Sequence, residues 1–241
     1  MAYAIDHSEK ALRLQNAMAE ITFAVAPLKY IQSKDTVTTL FTMHGSNTVG
    51  GKLAPNLAMA YLKQKGLVNI RVQPLAKLNE KVVVGDFPNK GTSVQIHISA
   101  HGSSTGFKGL MSGDADIWAS SRKVKDKEVT EARAMTNLQD SGSEHVLAID
   151  GLAIIVHPKN PISQLSKQQL AGIFSGEITN WAQLGGLNQG INLYARDDNS
   201  GTWDSFKNMV LSKWAPLSET ANRFESSEML VGNVLKDTAA I

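Results

Sequence analysis

Ala195-Arg-Asp-Asp-Asn-Ser-Gly-Thr202 is the stretch on which the reading of this chain turns. Before it, Ile191–Ala195 has the apolar, β-branched character of a strand. After it, Phe206, Val210 and Leu211 recur at helical spacing. The same passage, strand into Ser/Gly/Thr turn into helix, occurs twice more. Gly45-Ser-Asn-Thr48 follows the strand-like Val37–Met43, and Gly102-Ser-Ser-Thr-Gly106 follows the alternating Val94-Gln-Ile-His-Ile98. Strands alternating with helices predict an α/β fold with mostly parallel sheets.

The three turns share a chemistry. A helix N-terminus carries unsatisfied N–H groups and a partial charge of roughly half an electron. Glycine lets the backbone approach a ligand closely, and Ser or Thr hydroxyls can turn a donor toward an anion. Together they make an oxyanion cradle. Each turn alone reads as an ordinary N-cap. Three of them at the C-terminal ends of strands, where open α/β sheets place ligands, point to a site. Arg196 adds a fork of donors suited to phosphate or carboxylate, beside Asp197 and Asp198. A surface arginine next to surface acids is the alternative.

Working outward, residues 8–26 read as a helix capped by Ser8 and stopped by Pro27. It is expected to pack on the main body or to serve as an interaction helix. A helix through Leu53, Leu57, Tyr61 and Leu62 follows the first turn, and Val68–Val72 is a second strand. Residues 74–92 read as a polar, turn-rich excursion around Gly85, Pro88 and Gly91. Asp116–Ser120 and Leu152–Val156 are further strands, Lys167–Phe174 a helix, and Gly185-Gly186 a turn.

Composition excludes several classes. The 241 residues are 42% hydrophobic and 19% charged, with a net charge of +2 and no basic run, so nothing draws nucleic acid or an anionic membrane. The absence of cysteine excludes disulfides, thiolate metal sites and Cys nucleophiles. No apolar stretch approaches the roughly 18 residues of a membrane span. Met1–Asp6 lacks the basic start and apolar block of a signal peptide. The expectation is either a cytoplasmic chain or an exported one whose signal is not part of this sequence. His7, His44, His97, His101, His145 and His157 show no helical zinc spacing, so no metal or other cofactor is expected. There is no nucleophile elbow and no Walker loop. His44 and His101 flank the first two turns and could add charge when protonated.

Four segments in a fixed order then become specific. They are Gly45-Ser-Asn-Thr-Val49, Ala100-His-Gly-Ser-Ser-Thr-Gly-Phe107 continuing to Gly113-Asp-Ala-Asp-Ile-Trp-Ala-Ser-Ser-Arg122, Gly172-Ile-Phe-Ser-Gly-Glu-Ile-Thr-Asn-Trp181, and Ala195–Thr202. Over residues 36–241 the chain resembles the periplasmic phosphate-binding proteins of ABC phosphate-uptake systems. The resemblance implies two α/β lobes of the periplasmic-binding-protein type that close over phosphate or a similar oxyanion. Residues 36–146 would form the first lobe and 147–241 the second, with 1–35 an extra helical segment. Thr48 and the Val49 amide, Ser103, Arg196, Ser200, Gly201 and Thr202 would contact the anion. Ser46, Gly102, Ser104, Ser121 and Asp198 would support them, Asp198 by bracing Arg196.

The resemblance further implies a non-enzymatic substrate-binding component, an ABC permease as partner and a periplasmic or extracytoplasmic location. An interaction or sensor module that kept the fold is the alternative. Two departures stand out. Ser121 occupies the place where several relatives carry an Asp that reads the phosphate proton. After Asp237–Ile241 the family pattern continues with a returning segment, so the first lobe is expected to be incomplete at its C-terminal end. A homo-oligomer is one way to compensate.

Overall fold

The computed structural model describes residues 37–211 and 215–241. The helix expected over 8–26 lies outside the described residues. A five-stranded sheet carries the N-terminal part, in the order β2-β3-β4-β1-β5. Its strands are β1 (Val37–Gly45), β2 (Val68–Pro74), β3 (Glu80–Asp86), β4 (Ser93–Ser99) and β5 (Ile117–Ala119). β1 lies between β4 and β5 and runs parallel to both. Its C-terminal end therefore meets the C-terminal ends of its neighbours, and the first two Ser/Gly/Thr turns emerge side by side.

Residues 74–92, expected as a turn-rich excursion, contain β3. Val82, Val83 and Val84 are buried there, and β3 pairs antiparallel with both β2 and β4. Three consecutive valines favour extended backbone and pay for a place in the sheet, whereas the surrounding Lys, Gly and Pro set only the turns at its ends. The sheet is thus mixed, and both antiparallel pairings belong to this strand.

Helix α1 (Ala54–Gln64) follows a π-helical turn, Val49–Leu53. Ala54, Ala58 and Leu62 recur at the helical period and pack on Val83, Val94, Ile96 and Ile98 of the sheet. α2 (Ser103–Ser112) rises from the end of β4, and α3 (Asp126–Ala132) follows β5. Phe107 of α2 and Ala132 share a small satellite core.

A separate core lies in the C-terminal part. α4 (Lys167–Ser175), α5 (Gly201–Met209) and α6 (Ser227–Val234) surround a two-stranded parallel sheet of β6 (Tyr194–Arg196) and β7 (Asn222–Phe224). Ile173, Phe174, Trp181, Leu193, Trp203 and Phe206 fill its interior. The Trp181 indole N–H donates to the Ala239 carbonyl at 3.0 Å, so the large ring is buried without an orphaned donor. The strand expected over Ile191–Ala195 begins later, at Tyr194. The stretch Leu152–Val156 is not paired as a strand: it supplies Leu152 and Val156 to the core, while β6 is hydrogen-bonded to β7. Its β-branched residues favour extended backbone, but a strand also needs an adjacent edge.

Candidate oxyanion site

The first turn begins at Gly45, where β1 ends. Its φ is +141°, and a Cβ there would stand 2.0 Å from the Ala119 carbonyl oxygen, so only glycine fits. Ser46 donates its amide to that carbonyl at 2.8 Å and is buried. Thr48 is exposed at the start of the π-helical turn, and the Val49 amide points inward to Ser46 Oγ at 3.4 Å. No hydrogen bond among the described residues joins Thr48 or Val49 to the other two turns.

Asn47 makes that connection instead. Its Nδ2 donates to the Ala100 carbonyl, ahead of the second turn, and its Oδ1 accepts from Arg196 Nη2 at 2.9 Å. The Ala100 oxygen can only accept, which fixes the orientation of the amide. Asn47 was absent from the residues expected to form the site, because an asparagine before a helix reads as an ordinary cap.

The second turn lies directly against the third. Gly102 has φ +109°, and a Cβ would meet the Asn199 carbonyl oxygen at 2.4 Å. Ser104 donates its amide to the same carbonyl at 3.1 Å. The Ser103 side chain is fully buried; its Oγ accepts from the Ser121 amide at 3.1 Å and lies 3.4 Å from Ser121 Oγ. The Ser103 proton can therefore turn to Ser121 or to an anion. Ser121, at the position where a selectivity carboxylate was considered, is thus in contact with the site.

In the third turn, Ser200 caps α5: its Oγ accepts from the Trp203 amide at 3.3 Å. An N-cap hydroxyl that accepts from the backbone keeps its own proton available. Gly201 and Thr202 follow in the first turn of α5, where backbone N–H groups lack helical partners. Gly201 fits against Ser103, with room for hydrogen only: a Cβ would stand 2.3 Å from Ser103 Oγ.

Arg196 ends β6 and is buried. Nε donates to the Phe224 carbonyl at 3.2 Å, Nη1 to Ser227 Oγ at 2.8 Å, and Nη2 to Asn47 and to the Glu225 carbonyl. Among the described residues, one N–H of Nη1 has no partner. Burial pulls its pKa down, with Asp197 and Glu225 opposing; a guanidinium stays charged regardless.

The expectation that Asp198 braces Arg196 is corrected. Asp198 Oδ1 accepts from Arg223 Nη2 at 2.8 Å and from the Trp203 indole at 3.1 Å, and its side chain is largely exposed. β6 ends at Arg196, so the two-residue alternation that would keep Asp198 on the face of the arginine does not extend to it, and the turn carries it outward. The bracing comes from the Phe224 and Glu225 carbonyls and the Ser227 hydroxyl, at and just beyond the end of β7, and from Asn47. Asp197, next in the chain, is the acid that most supports the charge of the arginine. Burial pushes its carboxyl up, more than Arg196 lowers it, and its Oδ1 is buried without a hydrogen-bond partner among the described residues.

A second arginine lies behind the second turn. Arg122 pairs with Glu128 at 2.5 Å and with Asp204 of α5 at 3.0 Å, and its Nη2 reaches Ser104 Oγ at 3.4 Å. Lys125 and Lys207 also contact Asp204. This buried network ties the second turn to the third and keeps positive charge near both.

Comparison with known proteins bears on this arrangement. Residues 74–239 match the PBP superfamily domain family. The phosphate-binding protein PstS of Bacillus subtilis is 32% identical over 152 residues, covering 63% of this chain and 47% of that protein. PstS of Borreliella burgdorferi is 32% identical over 165 residues, covering 67% of this chain and 55% of that protein. The chain thus spans about half the length of these relatives. Among solved structures, a crystal structure from Clostridium perfringens with bound phosphate superimposes with a TM-score of 0.60 at 26% identity, covering 84% of this chain and 68% of that one. An ABC-type phosphate transport receptor from Vibrio cholerae gives 0.56 at 30% identity, over 83% of this chain and 68% of that one.

Proposed function

The chain belongs to the PBP superfamily, and from that premise we propose that it binds phosphate, or a closely similar tetrahedral oxyanion, where its three Ser/Gly/Thr turns converge. The observation that carries the reading is the close fit of Gly201 on Ser103, with Arg196 linked to the second turn through Asn47. Two buried hydroxyls, each accepting from a backbone amide and so free to donate outward, stand at the N-termini of α2 and α5, and Asn47 links a buried guanidinium to the second turn. Such a group of donors suits an acceptor-rich anion stripped of water. Arg196 supplies one N–H and its charge; Ser103, Ser200, Gly201 and Thr202 supply the remaining donors. Thr48 and Val49 join from the first turn when the loops rearrange around the ligand, with Ser46, Gly102, Ser104 and Ser121 in support.

The two turns interlock so closely that an anion enters only when they part. Residues 36–146 and 147–241 act as the two lobes, and a ligand that bonds both favours their closed arrangement. In this reading the chain is a receptor with no catalytic group, working outside the cytoplasm as the substrate-binding component of an ABC permease. Its relatives named for phosphate binding and phosphate transport support that role. Ser121 in place of a carboxylate predicts weak discrimination between phosphate and sulfate.

Isothermal titration with phosphate, sulfate and molybdate tests the proposal. One-to-one heat with phosphate, lost in Arg196→Ala, is expected. No heat with any of the three from a folded sample contradicts it. A second reading, an interaction module on the same fold, is favoured by Val146 and Ile149, which are 79% and 98% exposed. Co-purification of a stable partner without anion binding would support that reading instead.

A further inference from the structure

His101, immediately before the second turn, stands between two carboxylates from distant parts of the chain. Its Nδ1 lies 2.6 Å from Glu225 Oε1 and its Nε2 lies 3.0 Å from Glu80 Oε1. Glu80 opens β3; Glu225 follows β7. Asn79 Nδ2 donates to the same Glu225 oxygen at 3.1 Å. The Glu225 backbone carbonyl accepts from Arg196 Nη2. The imidazole thus reaches the buried arginine of the oxyanion site through a single residue.

A neutral imidazole has one N–H and one lone pair. Between two carboxylates it can donate to one and must turn its lone pair to the other. Only the imidazolium donates to both. The geometry points to His101 as a positioning residue of the oxyanion site: in its imidazolium form it clasps Glu225 to Glu80 and so fixes the carbonyl against which Arg196 is oriented. This rests on the reading of the site given above.

The surrounding charges are consistent with such a clasp. Lys77 Nζ lies 3.1 Å from Glu80 on its outer side. His44, Lys77, Glu80, Ser99, His101 and Thr105 line one cavity of about 240 Å³. Burial pushes the pKa of His44 down, and His97, packed edge-on to it, lowers it further, so His44 faces the clasp with little added charge. From the third turn, Arg196 and Asp197 face Glu225. Burial pushes both Glu80 and Glu225 up, but hydrogen bonds from His101, joined by Lys77 on one and Asn79 on the other, outweigh it and hold both below the usual glutamate range.

The sign follows. Carboxylates with lowered pKa stay ionised until the pH falls through their folded values, so they hold the clasp on the mildly acid side. The two-sided clasp holds only while the imidazole carries both protons and loosens when one is lost.

Two measurements test it. The first follows imidazole nitrogen NMR signals of the chain between about pH 5 and 8.5, with His101 assigned by His101→Gln. Both nitrogens should carry the imidazolium signature at the acid end, and Glu225→Gln should move the midpoint to lower pH. The second takes the ratio of phosphate affinities, wild type over His101→Gln, at two pH values. The ratio cancels the ligand's own protonation. It should be about tenfold at the acid pH and approach unity at the alkaline one. A midpoint unmoved by Glu225→Gln, or a ratio equal at both pH values, overturns the proposal. If the wild type takes up no phosphate at all, the reading of the site fails while the NMR titration still decides the clasp.

Discussion

Gly201→Ala places one methyl group where the second and third turns meet. A Cβ at this position stands 2.3 Å from Ser103 Oγ and 2.7 Å from Ser121 Oγ, roughly an ångström inside ordinary contact. Ser103 cannot easily swing away, because it is fully buried and its Oγ holds the Ser121 amide. Overpacking of this kind costs about 1–3 kcal/mol, and losing the amide-to-hydroxyl bond costs about 1 kcal/mol more. The sum corresponds to anion affinity weakened by about 30-fold to several-hundred-fold. The local helix moves the other way: alanine within α5 is favoured over glycine by up to about 1 kcal/mol. Titration calorimetry with phosphate, beside circular dichroism of the same sample, separates the two effects. The expected result is a folded protein, with α5 intact, that binds much more weakly. Wild-type phosphate affinity in Gly201→Ala would refute the claim that these turns must fit together to hold the anion.

Asn47→Ala removes the bonds to Ala100 and Arg196 and is expected to weaken phosphate binding about tenfold by calorimetry, with little change in thermal midpoint. Asp197 carries a carboxyl pushed up chiefly by burial, so its ionised form opposes folding and the wild type gains stability as the pH falls through that raised value. Asp197→Asn should accordingly melt higher than wild type near neutrality, and the gap should close on acidification; a gap that widens with acid would contradict the assignment. Leu62→Ala empties a fully buried position between α1 and the sheet. Urea unfolding should show a loss of about 2–5 kcal/mol.

The Ser/Gly/Thr turns were legible because their chemistry is local. A hydroxyl that caps a helix and a glycine that lets two backbones touch both sit within a few residues of the strand they end, so the three turns could be located from sequence. The partners of Arg196 could not. Phe224, Glu225 and Ser227 reach it only because β6 and β7 pair in parallel with Arg196 opposite Phe224. Nothing in the Arg-Asp-Asp run announces that register, which is why Asp198 was taken for the brace. Asn47 was hidden for a related reason: its role depends on a carbonyl and a guanidinium supplied by two other turns. The valines of β3 were overlooked because flanking Lys, Gly and Pro dominate the composition of residues 74–92. Leu152–Val156 misled in the opposite direction, since a strand-like composition does not supply a neighbouring edge.

The most direct measurement is a crystal structure of the chain grown with phosphate. The account expects a tetrahedral anion within hydrogen-bond distance of Ser103 Oγ, Ser200 Oγ, the amides of Gly201 and Thr202, and Arg196 Nη1. A folded, phosphate-saturated crystal with no anion between the Ser103 and Ser200 turns would contradict it.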